Sequence, residues 1–507
     1  MKKFWRKYHK WVGLFFSFFI LMFCVSGIIL NHRKAFSSFN VSRSLMQGGY
    51  SYDNWNNGIA RGTKALPDGT VLLYGNTGIW QTDSCISAFK DGNEGIKEGA
   101  DNRKISNIVM LPDGSVWCAG LFDVYKMNDD KTWQIQNIEN IDERISDIAN
   151  HGDTLVVQTR SNIYEALPPY NSFKCYQLPV PNNYDDEISM FRTVWILHSG
   201  ELFGTAGKLF VDFIALIIII LCITGILFWC TPKMIKRRVK QKLKVKSLTK
   251  TMKFSTNWHI KLGRWLIIPT VILAATGMSL RPPLMIPFAM NKMKPVPFST
   301  QDTENVWRDK FRGIRWDDNI GMWLISTKEG FYQAPSFTDV PEKCKQAPPV
   351  SPMGLNVFHQ RASGEWLVGS FSGLFCWNPT THETKDYFSG EKYNPMSRSS
   401  FSGGSAASGI STDIKGYDEI IFDYDKGTRT KDKEQVHISD MPEILAEQPI
   451  SLWNWALELH VGRLYSPFLG FLSGWWVFLS GLLLTLTLIS GYILRPKKKK
   501  KKAKTGK

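Results

Sequence analysis

Tyr8-His9-Lys10-Trp11-Val12-Gly13 and Trp258-His259-Ile260-Lys261-Leu262-Gly263 are two renderings of one pattern. Each opens an apolar stretch that closes on a small-residue pair, Ser26-Gly27 in one and Thr276-Gly277 in the other. In both, four residues separate the histidine from the near glycine and eighteen separate it from the far one. Eighteen residues are five helical turns, so on one continuous helix all three share a face. Small residues on a face let membrane helices approach closely. That accounts for the glycines and for neither histidine.

Four apolar segments, 11–30, 209–230, 262–281 and 468–494, are each near the ~20 residues needed to cross a bilayer. The intervals between them, 31–195 and 283–450, are polar and rich in turn residues. Met1–Lys10 carries five Lys/Arg, the 231–258 loop ten and the tail from Arg495 nine, with no acid in any of the three. The rest of a +17 chain is therefore net acidic. Short basic ends and loops mark the cytoplasmic side. The expectation is a bacterial inner-membrane protein with both termini inside and two large periplasmic insertions. Every basic run abuts an apolar segment, which speaks against nucleic acid as the partner. Residues 1–30 read as an uncleaved anchor, since no small-x-small cleavage site follows them.

The expected order is a transmembrane helix over 1–32, a β insertion over 33–190, and a periplasmic helix with a second span over 191–231. A basic loop over 232–257, a third span over 258–282 and a second β insertion over 283–450 follow. A helix with the fourth span over 451–495 and a basic tail over 496–507 complete the chain. The fold class is an α+β membrane protein. Four transmembrane helices form two tandem repeats, and both insertions build one periplasmic all-β domain.

The insertions repeat a hairpin. Leu66-Pro67-Asp68-Gly69-Thr70-Val71 leads to Gly78-Ile79-Trp80, and Leu111-Pro112-Asp113-Gly114-Ser115-Val116 leads to Val124-Tyr125. Asp-Gly between short alternating runs is a strong hairpin signal. Weaker copies start near Asn150, Gly321, Gly364 and Ile410. A period of roughly 40 residues points to propeller blades, three from each insertion, with a pair of β-sandwiches as the rival. Trp80, Trp117, Trp323 and Trp366 read as blade core. The stretch 395–409 reads as a flexible loop. Five cysteines fall in the insertions (Cys85, Cys118, Cys175, Cys344 and Cys376), an odd number that defines no disulfide framework.

Each insertion returns to the membrane through a Leu-His-x-Gly stretch, Leu197-His198-Ser199-Gly200 and Leu459-His460-Val461-Gly462. The spans that follow end in Thr224-Gly225 and Ser490-Gly491. His9 and His259 thus lie at the cytoplasmic ends of spans, and His198 and His460 at the outer ends. His32 also lies at an outer end. His151, His359, His382 and His437 read as surface residues of the insertions. Ionisable groups at membrane edges are costly and usually functional. The set suits two b-type haems with axial histidines: His9 with His259, and His198 with His460, with Gly27 and Gly277 clearing space beside the outer group. His32 is a rival outer ligand. Without Cys-x-x-Cys-His there is no motif for covalent haem. Zinc would want further ligands, and only Glu201 and Glu458 are near.

At His9-x-Trp11-x-Gly13, Ser26-Gly27, Leu197-His198, Thr224-Gly225 with Trp229, His259-x3-Gly263, Thr276-Gly277, Leu459-His460 and Ser490-Gly491 the chain resembles the PepSY-associated transmembrane helix family. That family includes iron-regulated membrane proteins and ferric-siderophore reductases. The resemblance implies haem b in the membrane and reduction of a periplasmic ferric chelate. The propeller-like insertions depart from the small α/β modules common in the family, so the substrate does not carry over. The inside loops are too short to bind a nicotinamide or flavin donor, and no Gly-x-Gly-x-x-Gly follows a strand there. Quinol or a separate reductase would supply the electron. The alternative is a membrane-anchored sensor, or a partner of an outer-membrane uptake component, without redox chemistry.

Overall fold

The computed structural model describes residues 2–46, 48–139, 141–182, 184–394 and 406–494. Most of the flexible-loop segment expected at 395–409, and the basic tail from Arg495, lie outside the described residues. Two compact units emerge. One comprises Met1–Arg33, Asp186–Asp302 and Trp453–Lys507, the other Lys34–Asp185 and Thr303–Leu452.

The first unit is helical. Helix α1 (Lys2–Asn31) is apolar over most of its length. The short α2 (Met190–Ser199) precedes the long α3 (Gly204–Lys240). Then come α4 (Lys246–Trp265) and α5 (Ile267–Ser279), and after the second insertion the short α6 (Leu452–His460) and the apolar α7 (Ser473–Ile493). Three stretches are long and apolar enough to cross a membrane, and a fourth counts if α4 and α5 form one bent span. A helix that is apolar all round must be covered by lipid or protein. Here Ile20 and Cys24 of α1 are buried against Ile214, Ala215 and Ile218 of α3, while Phe15, Phe18, Phe213, Ile268 and Ile272 stay exposed on the outside of the unit.

Two expectations need correction. The span over 258–282 is not one helix: α4 and α5 meet at 71° at Leu266. Pro269 is the physical cause. It has no N–H to give to the carbonyl of Trp265, and its ring would clash with that carbonyl in a continuous helix. It is tolerated in the first turn of α5, where the N–H would be free in any case. His259 and Gly277 therefore do not share a helix face, whereas His9 and Gly27 do. The basic segment 232–257 is also mostly helical: α3 runs on to Lys240 and α4 starts at Lys246. Lysine and arginine are good helix formers, and cations suit the C-terminal end of α3.

The second unit is all β. Its strands form antiparallel groups that begin with β1 (Gly62–Ala65), β2 (Asn107–Met110), β3 (Ile145–His151), β4 (Phe311–Asp317), β5 (Val357–Gln360) and β6 (Ala407–Ser411). The sheets led by β2, β3, β4 and β5 have four strands each. Those led by β1 and β6 join into one of seven through the parallel pair Gly62↔Ile410. Each leading strand packs against the next in order, and β6 packs against β1. No single sheet closes on itself. The hairpins form as their sequence dictates: in Pro67-Asp68-Gly69-Thr70 the Asp68 carboxylate accepts from the Thr70 amide at 3.0 Å, and Gly69 takes the left-handed φ of 85° that a side chain would resist. Trp80, Trp117, Trp323 and Trp366 are buried between neighbouring sheets.

Candidate functional site

Four histidines of the helical unit are seated in the same way. His9 Nδ1 lies 3.0 Å from both the Thr487 carbonyl and Ser490 Oγ on α7. His259 Nδ1 lies 3.1 Å from the Leu221 carbonyl and 3.0 Å from Thr224 Oγ1 on α3. His198 Nδ1 lies 3.2 Å from the Leu273 carbonyl and 3.1 Å from Thr276 Oγ1 on α5. His460 Nδ1 lies 2.9 Å from Ser26 Oγ on α1 and also bonds the Phe23 carbonyl. In every seat the carbonyl belongs to the residue three before the hydroxyl.

The hydroxyls settle the tautomer. Each donates its own proton back along its helix: Ser26 to Met22 at 2.7 Å, Thr224 to Ile220 at 2.6 Å, Thr276 to Ile272 at 2.8 Å and Ser490 to Thr487 at 2.7 Å. The hydroxyl can then only accept from the imidazole, and a carbonyl only ever accepts. Nδ1 must carry the proton, and Nε2 keeps a free lone pair. A second-shell bond at one ring nitrogen is how proteins orient the other as a metal ligand.

The glycine after each hydroxyl makes room for the ring. A Cβ on Gly27 would lie 3.4 Å from His460 Cε1, and one on Gly225 would lie 3.4 Å from His259 Cε1. On Gly277 it would come to 2.8 Å of His198 Cε1, and on Gly491 to 2.9 Å of His9 Cε1. Gly27 and Gly277 thus clear space for an imidazole. The short helices are stopped directly after their histidines: Gly200 (φ 82°) caps α2, and Gly462 (φ 83°) follows α6. At Gly200 a side chain would meet the Gly207 carbonyl at 2.2 Å.

The rings come together in two pairs. His9 and His259 have centroids 6.1 Å apart, and His198 and His460 have centroids 6.2 Å apart. Two imidazoles on opposite sides of one metal, each with a metal–nitrogen bond of about 2.0 Å and about 1.1 Å from nitrogen to ring centre, would stand about 6.2 Å apart. The spacing and the free Nε2 atoms fit a metal held between each pair. Among the described residues no group of three or more His, Cys, Asp or Glu could hold a metal ion. That leaves zinc short of ligands and suits a group that brings its own equatorial nitrogens. Along α1, His9 and the Ser26 seat of His460 are about 25 Å apart at 1.5 Å per residue, close to the ~30 Å apolar thickness of a bilayer.

His32 goes elsewhere. Its Nε2 bonds Asp212 Oδ2 at 2.6 Å, and Asp212 Oδ1 also accepts from Asn31 at 3.1 Å. The Asp212 carboxylate thus ties the His32 ring to α3.

In the β unit, charged side chains gather where the leading strands meet. Arg315 of β4 donates to Asp147 of β3 at 2.6 Å, and Arg61 donates to Asn356 at 2.7 Å. Thr63 of β1 donates to Asp413 at 2.5 Å. Tyr74 is enclosed by this set, and burial pushes its hydroxyl up to about 12. Burial also raises the Asp147 carboxyl, against the pull of Arg315. His359, expected on the surface, is largely buried near Glu419, Arg315 and Arg361, and burial lowers its imidazole. His151 stacks on Trp316 with centroids 3.9 Å apart. Arg315, Asp147, Arg61 and Asp413 each have a hydrogen-bond partner inside the unit, so the cluster serves cohesion of the sheets. All eight cysteines are free.

A helical unit with paired imidazoles, joined to a large all-β unit, defines a membrane protein with an extra-membrane domain. The chain belongs to the family described as PepSY-associated TM region, whose model matches residues 1–232 and again 189–498. Comparison with curated proteins found no match. Among solved structures, the chain is similar to the extracellular domain of a hybrid two-component system from B. thetaiotaomicron, at 10% identity and a TM-score of 0.34, covering 73% of this chain and 32% of that one. It is similar also to virginiamycin B lyase from Staphylococcus aureus, at 7% identity and a TM-score of 0.33, covering 74% and 81%. A third is PorZ, a surface component of the type-IX secretion system of Porphyromonas gingivalis, at 8% identity and a TM-score of 0.29, covering 74% and 37%. The chain thus spans about a third of the length of that extracellular domain. Likeness at these TM-scores carries no functional argument.

Proposed function

We propose that the helical unit binds two b-type haems, one between His9 and His259 and one between His198 and His460, and that the protein passes electrons across a bacterial inner membrane to a ferric chelate in the periplasm. The two imidazole pairs carry this reading, with ring centres 6.1 and 6.2 Å apart and Nδ1 protonated in every seat. Haem b, when bound, supplies one-electron redox chemistry tuned by its axial ligands and burial. The chain's own residues do the rest. Nε2 of each histidine would hold the iron as a neutral ligand, the Ser/Thr seat orients the ring, and the apolar helices would keep water from the pairs.

The overall reaction is one-electron reduction of Fe(III) to Fe(II) in the chelate. The lower charge of ferrous iron weakens its hold on hard oxygen donors and frees it. Quinol or a separate reductase supplies the electron. Residues 2–10 and 231–264 carry many Lys/Arg and no Asp/Glu, which supports placing the His9–His259 end in the cytoplasm. We read the six strand groups led by β1 to β6 as the blades of one propeller shared by both insertions, with the chelate or its carrier docking on it.

The test is the visible spectrum of the detergent-purified protein with pyridine haemochrome quantitation. About two b-type haems per chain are expected. A colourless protein from haem-replete cells would overturn the reading and leave a binding or sensing role for the β unit.

A further inference from the structure

Beyond the axial histidines, one cation stands out at the outer pair. Arg281 lies four residues past Gly277, the seat of His198, in the turn that closes α5. Its amide bonds the Met278 carbonyl at 3.3 Å, and its own carbonyl accepts from Met285 at 3.0 Å. The guanidinium is half-buried, yet among the described residues it makes no hydrogen bond or ion pair. The charges it feels are Arg463 and Glu458. Glu458, buried two residues before His460, is already committed: Arg463 Nε donates to its Oε2 at 2.6 Å and Nη2 to its Oε1 at 2.5 Å. The sequence holds no other acid between Asp212 and Asp302 to answer Arg281. Arg281 is also near enough to the His460 ring to act on it electrostatically.

A half-buried guanidinium without a counter-ion at a membrane edge is costly, and a group other than a protein carboxylate is the natural partner. A second observation points the same way. Tyr465 and Trp476 pack with centroids 6.2 Å apart, and a Cβ placed on Gly462, two residues past His460, would lie 3.6 Å from the Trp476 ring. Tyr465 Oη and Trp476 Nε1 are both buried and without a hydrogen-bond partner among the described residues. Buried donors in native proteins are nearly always satisfied, so these two call for an acceptor beyond the described residues.

We propose that Arg281 holds a carboxylate of the porphyrin bound between His198 and His460. The inference rests on the haem reading above. An arginine fork matches a carboxylate in a way that no apolar edge of the macrocycle could. Placed there, the cation offsets negative charge close to the iron and favours the reduced state.

The experiment compares full-length wild type with Arg281→Gln and Arg281→Lys, reading haem per chain and a spectrally monitored redox titration. Wild type gives about two haems and two midpoint potentials. Arg281→Gln is expected to lower the potential of one haem and leave the other unmoved, with Arg281→Lys in between. Loss of one haem in Arg281→Gln that Arg281→Lys restores supports the proposal equally. Two haems with unchanged potentials in Arg281→Gln would overturn it while leaving the haem reading intact. So would equal loss in both variants, which marks a packing role. A colourless wild type would overturn both.

Discussion

Replacing Gly277 by alanine is expected to reduce haem from about two per chain to about one, while the same change at Gly27 is expected to leave both in place. The two glycines face the two rings of the outer pair, so the contrast isolates geometry from chemistry. A Cβ at Gly277 stands 2.8 Å from His198 Cε1, against 3.4 Å from His460 Cε1 at Gly27. The second distance is a contact that a shift of a few tenths of an ångström relieves. The first is closer than side-chain carbons come. His198 cannot retreat without stretching its bonds to Leu273 and Thr276, and the αL cap at Gly200 fixes the end of α2 behind it. An imidazole turned off its axis by even ~1 Å loses most of its value in a site built on pre-set geometry. By the same measure Gly491→Ala, at 2.9 Å from His9, removes the inner haem and Gly225→Ala spares it. Pyridine haemochrome values on the four purified variants check the series. Equal values for all four would show that the glycines serve only helix packing.

Arg315→Ala is expected to be the most destabilising single change in the β unit, at about 3–5 kcal/mol, the range for breaking a buried ion pair from one side. Asp147 is 6% exposed, and its Oδ2 accepts from Arg315 at 2.6 Å and from the Ile314 amide at 3.0 Å. Without the cation the carboxylate is left where burial already raises its folded-state affinity for a proton. The sign of the pH dependence follows. A carboxyl with a raised folded-state pKa contributes stability below the ordinary carboxylate range and loses it as pH rises through the folded value. Thermal unfolding of Arg315→Ala should therefore show its largest deficit at neutral pH and a smaller one near pH 4. Adding Asp147→Asn should recover much of the loss. A deficit that does not change with pH would mean that Arg315 matters for its packing alone.

The pairing of the four histidines was legible in the sequence. Each lies at a span end, and the spacing to the small-residue pairs repeats. What holds them was not. Ser26-Gly27 reads as a packing face of its own helix, yet the ring it seats is His460, which is 434 residues away. Contacts of that range leave no periodic trace in one chain. The kink at Leu266 was written in Pro269 and was outweighed by an apolar run that looked continuous. The bond from His32 to Asp212 spans 180 residues and was not legible either. The Asp-Gly hairpins gave the strands of the β unit, since a turn and its flanking strands are local. The joining of β6 to β1 spans nearly the whole β unit and leaves no local signature in the sequence.

That joining bears on how the protein is made. The edge of the first sheet is completed by Ile410, so the first three sheets leave the ribosome with an unmatched flank. At ~5–20 residues per second, the residues from the end of the first insertion to Ile410 take on the order of tens of seconds to synthesise. Two spans must also be inserted in that interval. An open strand edge exposed for that long invites pairing with the wrong partner. The yield of the folded β unit is therefore expected to depend on how long that edge stays open.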